Sequence, residues 1–84
     1  MNVPNLTTAA FALLTHEASD GNARLVRAIR CPDGSWILRA RIKRSGPDCG
    51  LIVIGRGTDS VEAIEDLAGA LAPYAESIRQ EVSR

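Results

Sequence analysis

The stretch from Ala23 to Arg44, ARLVRAIRCPDGSWILRARIKR, constrains this chain more than any other. Two runs rich in aliphatic residues flank Pro32-Asp33-Gly34, where proline presets the first turn residue and glycine accepts a positive φ. The pattern predicts a β-hairpin with a type I turn and a glycine bulge. With Cys31 opposite Ser35, Arg30 faces Trp36, Ala28 faces Leu38 and Val26 faces Ala40. Side chains alternate along a strand, so Val26, Ala28, Trp36, Leu38, Ala40 and Ile42 form the expected core face. The opposite face then carries Leu25, Arg27, Ile29, Ile37, Arg39, Arg41 and Lys43. Arg27 stands directly across from Arg39 in this register, an arrangement that costs stability.

A helix is expected before the hairpin, over residues 7–19, with Ala10, Phe11, Leu14 and Ala18 at helical spacing. Thr7 or Thr8 caps its start and Asp20-Gly21 ends it. After the hairpin, Leu51 to Gly55 predicts a third strand that is apolar on both faces, hence central or covered. Asp59 and Glu62 then fit a capping box opening a second helix, with Val61, Ile64, Ala68 and Leu71 as its buried stripe. Pro73 cannot continue an unbroken helix, so PYAESIRQEVSR is expected as a separate or kinked last helix with Tyr74, Ile78 and Val82 on one face. The expected fold is α+β: one domain over residues 1–84, a three-stranded antiparallel sheet with the helices on one face, in the order α-β-β-β-α-α.

Gly-Arg-Gly-Thr-Asp at the strand-to-helix junction raises the question of a phosphate site. A helix start binds anions because unsatisfied N–H groups and the positive dipole end point at them. Asp59 and Glu62 satisfy the same donors and repel a phosphate. No lysine-serine pair or third glycine follows, so neither the P-loop nor the dinucleotide fingerprint is present. The junction is expected to be a corner turned by its glycines.

Catalytic chemistry has little to work with. His16 and Glu17 are helix neighbours whose side chains diverge, and no serine sits on a recognisable nucleophile turn. Cys31 and Cys49, with His16, are too few for a four-ligand zinc site; they read as small hydrophobes near strand ends, and a disulfide between them would be a staple. No enzymatic activity, cofactor or metal is expected. No apolar run approaches the roughly 20 residues that span a bilayer, so no membrane partner is expected, and MNVPNLTTAAFALLTHEASDG, lacking a basic n-region, is not expected to act as a signal peptide. The expected setting is the cytoplasm of a bacterium or a phage-infected cell.

The formal net charge of zero hides an asymmetry. Residues 24–56 carry net +6, residues 57–84 net −4 and residues 1–23 net −2. Such segregation bears on partners rather than on fold.

Two family resemblances follow from these residues. Gly55, Gly57, Ala63 and Leu71 match packing positions of the second helix of double-stranded-RNA-binding domains, so residues 7–71 resemble that family in architecture. Where those domains place phosphate-gripping lysines, this chain has Ser60, Val61 and Ile64 flanked by Asp59 and Glu62, which argues against the family's activity. The stretch with Pro47, Asp48, Gly50, Gly57, Thr58, Glu62 and Ala63 resembles HicB-type antitoxins, whose small domain has three strands and a helix. That resemblance implies binding and blocking of a toxin protein. The chain has an extra first helix relative to that pattern.

Together these readings point to a small non-enzymatic protein acting by protein–protein binding. Antitoxin-like blockers and phage-type inhibitors of a host nuclease or defence complex, anti-CRISPR proteins among them, belong to this class. The candidate surface is the hairpin's outer face: Arg27, Arg39, Arg41 and Lys43 for steering and hydrogen bonds, Ile29 and Ile37 for the desolvated centre. The bland reading of the same face is a charge pattern that keeps strands from aggregating, and pairing of sheet edges into a homodimer is a competing use. The alternative is a nucleic-acid binding module, RNA in particular, using the arginine stripe. A structural subunit with an uncovered helix face, Phe11 with Leu14 or Tyr74 with Ile78 and Val82, is a third class.

Overall fold

The computed structural model describes residues 6–43 and 46–82, with side chains of the last helix described as far as Ala75. Its elements are α1 (Thr8–Ala18), β1 (Ala23–Arg30), β2 (Trp36–Ile42), β3 (Ile52–Gly57) and α2 (Ser60–Val82). The strands form one antiparallel sheet in the order β1-β2-β3. Both helices lie on the same side of it and share one core. The class is α+β, with one helix fewer than expected.

That difference comes from Pro73. It sits inside α2 without ending it, although its ring removes a backbone donor and crowds the carbonyl of Gly69. Leu71 and Ala75, on either side of it, are buried, and Tyr74 packs against the core. Tertiary burial holds the helix continuous across a residue that would break it in isolation. The side chains of Ile78 and Val82 lie outside the described residues.

Helix α1 starts at Thr7, whose Oγ1 accepts from the Ala10 N–H at 3.1 Å. It ends through Asp20 and Gly21, both at positive φ, with the Gly21 N–H on the His16 carbonyl at 2.8 Å. Phe11 is fully buried and meets the Trp36 ring at 5.3 Å between centroids. Leu14 packs against the core, so this helix leaves neither residue as an uncovered face. Two buried hydroxyls bond back along the helix: Thr15 Oγ1 donates to the Phe11 carbonyl at 2.7 Å, and Ser19 Oγ donates to that of Thr15 at 2.8 Å. Ser19 Oγ also accepts from the Ala23 N–H at 3.0 Å.

The hairpin turn is as expected. The Gly34 N–H bonds the Cys31 carbonyl at 2.9 Å, Gly34 takes φ +90°, and Cys31 pairs with Ser35. Arg30↔Trp36, Ala28↔Leu38 and Arg27↔Arg39 follow in register. Beyond Arg27 the expectation fails, because Val26 is a bulge: Leu25 pairs with Ala40, Arg24 with Arg41 and Ala23 with Ile42. An extra residue reverses the alternation below it. Val26 is therefore 52% exposed rather than core, while Ala23 is buried and Leu25 turns in against the core.

Strand β3 is an edge, not the centre; β2 is the central strand. Its inward positions are Val53, Gly55 and Gly57, and α2 lies directly on them. A Cβ on Gly57 would collide with the backbone of Glu62 and Ala63, and one on Gly55 would come within 2.6 Å of the Leu67 nitrogen. Neither glycine has a positive φ, so they do not turn the chain as expected; they let a helix backbone touch a strand. This contact also sets the face α2 buries. Ala63, Ile64, Leu67 and Leu71 go inward, whereas Val61, expected in the stripe, is 38% exposed.

Candidate functional site

The sheet has a second face, and neither helix covers it. On β2 it presents Ile37, Arg39 and Arg41, with Lys43 just beyond the strand; all three cations are exposed and Ile37 is half-buried. On β1 it presents Ile29, Arg27, Val26 and, because of the bulge, Arg24. On β3 it presents Ile52, Ile54 and Arg56. The register fixes who stands beside whom. Ile29, Ile37 and Arg56 form one row across the sheet, Arg27, Arg39 and Ile54 the next, Arg24, Arg41 and Ile52 the third.

Four arginines therefore occupy two adjacent cross-strand pairs, Arg27↔Arg39 and Arg24↔Arg41. Strand spacing sets the Cβ separation within such a pair at roughly 5 Å, and the step from Arg39 to Arg41 is roughly 7 Å. Isoleucines frame this block on two sides: Ile29 and Ile37 in the first row, Ile54 and Ile52 down β3. Ile52 and Ile54 are 43% and 41% exposed. The three strands contain no aspartate or glutamate, so the block has no neutralising partner within its own sheet.

All six residues singled out from the sequence, Arg27, Ile29, Ile37, Arg39, Arg41 and Lys43, lie on this face. Leu25, expected beside them, does not. Sequence reasoning missed Arg24, Arg56, Ile52 and Ile54. The bulge that exposes Arg24 leaves no mark in the hydrophobic pattern. Arg56, Ile52 and Ile54 were legible: alternation of Ile52, Ile54 and Arg56 against Val53, Gly55 and Gly57 separates a strand's outer face from a face built for close approach.

The opposite side of the molecule has the other sign. Glu17 on α1 and Glu62, Glu65 and Asp66 on α2 are exposed. Two of these carboxylates also finish the β3 edge. Asp66 Oδ2 accepts from the Arg56 N–H at 2.8 Å, and Glu62 Oε1 from the Thr58 N–H at 3.0 Å. Asp59 Oδ1 in turn accepts from the Glu62 N–H at 2.8 Å. The capping box is thus present, with Glu62 reaching Thr58 one residue before the cap, and the first-turn donor at Glu62 is occupied by a carboxylate.

The aromatic residues lie elsewhere. Phe11 is in the core, and Trp36 and Tyr74 pack against it; among the described residues the open face carries no aromatic ring. Cys31 is half-buried at the hairpin turn, Cys49 is exposed in the loop after β2, and both are free thiols. No group of three histidine, cysteine, aspartate or glutamate side chains among the described residues could hold a metal ion. No described helix is long and apolar enough to cross a membrane.

Compared with family models, with curated proteins and with solved structures, the chain finds no match. The reading of this face rests on its own chemistry.

Proposed function

We propose that this protein is a non-enzymatic binding protein whose open sheet face docks an acidic surface of another protein. The observation that carries this reading is the pairing of Arg27 with Arg39 and of Arg24 with Arg41 on a face left uncovered by both helices. Like charges directly opposite cost stability, so the two arginine pairs are held at a cost that folding alone does not repay. Opposing carboxylates on a partner relieve that repulsion and steer its approach. The isoleucine frame suits a protein rather than a nucleic acid. It offers apolar surface for desolvated contacts, and the stacking platforms that bind single-stranded bases are aromatic.

A regulator or inhibitor of a larger protein or nucleoprotein complex fits this design, as antitoxin-like blockers and phage inhibitors of defence complexes do. Binding of RNA in the manner of double-stranded-RNA-binding domains is disfavoured by Asp59 and Glu62 at the start of α2, where that family grips phosphate.

The test is affinity capture from lysate with and without nuclease, comparing the native chain with the doubly substituted Arg39→Glu, Arg41→Glu variant. A protein retained after nuclease and lost with the variant supports the reading. Complete loss on nuclease treatment transfers the arginine face to nucleic acid.

A further inference from the structure

The cations of the open face are not evenly spread. Around the Val26 bulge, Arg24, Leu25, Val26, Arg41 and Lys43 line a depression of about 380 Å³. The bulge creates it in two ways. It moves Arg24 onto the open face opposite Arg41, and it leaves Val26 without a partner on β2. Bulges of this kind re-aim side chains and recur beside functional sites. Regular pairing would have put Leu25 where Arg24 now stands, and the depression would have one arginine and one lysine.

We infer that this depression is a binding site for a phosphate-class oxyanion, with Arg24, Arg41 and Lys43 as its ligands. The charge count selects the class. A single carboxylate carries one charge and fills one guanidinium fork, leaving two cations unanswered. A phosphoryl group carries nearly two charges and three acceptor oxygens, enough for two forks and an ammonium. Arginine supplies planar bidentate contacts and lysine a mobile point charge, the usual division of labour around phosphate. The inference deepens the docking reading and rests on it for the source of the anion: a phosphorylated side chain presented by the partner, which the exposed isoleucines flank.

Amide NMR titration of the whole chain at constant ionic strength tests this, using inorganic pyrophosphate, then an acidic phosphoserine peptide, then a single-stranded oligonucleotide. Saturable shifts confined to residues 24–26 and 41–43 are expected with pyrophosphate. Arg41→Gln should weaken that binding roughly tenfold or more, as loss of one charge-assisted contact does, while Arg56→Gln leaves it unchanged. Shifts spread evenly over every arginine, or no saturation, overturn the site. The phosphoserine peptide should bind more tightly than pyrophosphate; tighter binding of the oligonucleotide than of the peptide overturns a protein source. If pyrophosphate fails to bind while the Arg39→Glu, Arg41→Glu variant still loses its protein partner, the anion site falls and the docking face stands. If pyrophosphate binds but that variant keeps its partner, the docking reading falls instead.

Discussion

Gly55 lies beneath Leu67 with no room for a side chain between them: a Cβ on Gly55 would sit 2.5 Å from the Leu67 Cβ and 2.7 Å from its Cα. Gly57 stands in the same relation to Ala63, two residues along the strand and four along the helix. These two contacts seat α2 on β3 and orient the acidic helix side away from the basic sheet face.

Substitution at either glycine should therefore be felt strongly. Gly55→Ala and Gly57→Ala are each expected to destabilise the fold by about 2–3 kcal/mol or more, because the atoms in the way are helix backbone and, at Gly55, also the Leu67 Cβ fixed to it, which cannot move aside cheaply. Gly69, exposed on α2 with nothing within 4 Å of its would-be Cβ, provides the contrast. Gly69→Ala should stabilise by roughly 0.5–1 kcal/mol. Thermal unfolding of the three variants checks the sign of each.

Pro73→Ala should raise stability by on the order of 1–3 kcal/mol, since it restores a donor to the Gly69 carbonyl and removes a ring from the helix interior. Circular dichroism should show equal or greater helicity. A fall in melting temperature would mean that the proline ring itself is needed for the seating of Leu71 and Ala75.

Ser19→Ala removes the acceptor for the buried Ala23 N–H at the junction of α1 and β1. An unsatisfied buried amide costs about 1–3 kcal/mol, so a loss in that range is expected by chemical denaturation. Ser19→Thr keeps the hydroxyl and should recover part of the loss.

On the open face the stability effect runs the other way. Arg39→Gln should leave folding unchanged or improve it by about 0.2–1 kcal/mol, because it relieves the Arg27 pair. The gain should shrink as salt rises. The same substitution should weaken partner binding. A large loss of stability would show the face to be structural.

At the hairpin turn, the Ser35 hydroxyl donates to Asp33 Oδ1 at 2.6 Å and the Ser35 backbone N–H donates to the same oxygen at 2.9 Å. The hydroxyl first and then the amide hold the Asp33 carboxyl below its ordinary value of 3.8. A depressed carboxyl lends the folded state stability above that ordinary value and loses it as the pH falls through the lower, folded one. Carbon-detected titration of Asp33 should show the low midpoint, and Ser35→Ala should return it toward 3.8.

What local chemistry determined is visible in the turns and caps. Pro32-Asp33-Gly34 placed the hairpin and the register of its upper half, Thr7 and Asp59 placed two helix starts, and Asp20-Gly21 placed one end. Each depends on neighbours within a few residues, so its outcome is written in the chain. The bulge at Val26, the edge position of β3 and the passage of α2 through Pro73 were settled by packing. Burial of Ala23 and Leu25 against the core compensates for one unpaired residue, and contact of Gly55 and Gly57 with α2 covers only the inner side of β3. Burial of Leu71 and Ala75 outweighs a proline. The candidate surface divides the same way. Arg27, Arg39, Arg41 and Lys43 share a face by simple alternation, whereas Arg24 joins them because the core selected a bulged strand over a regular one.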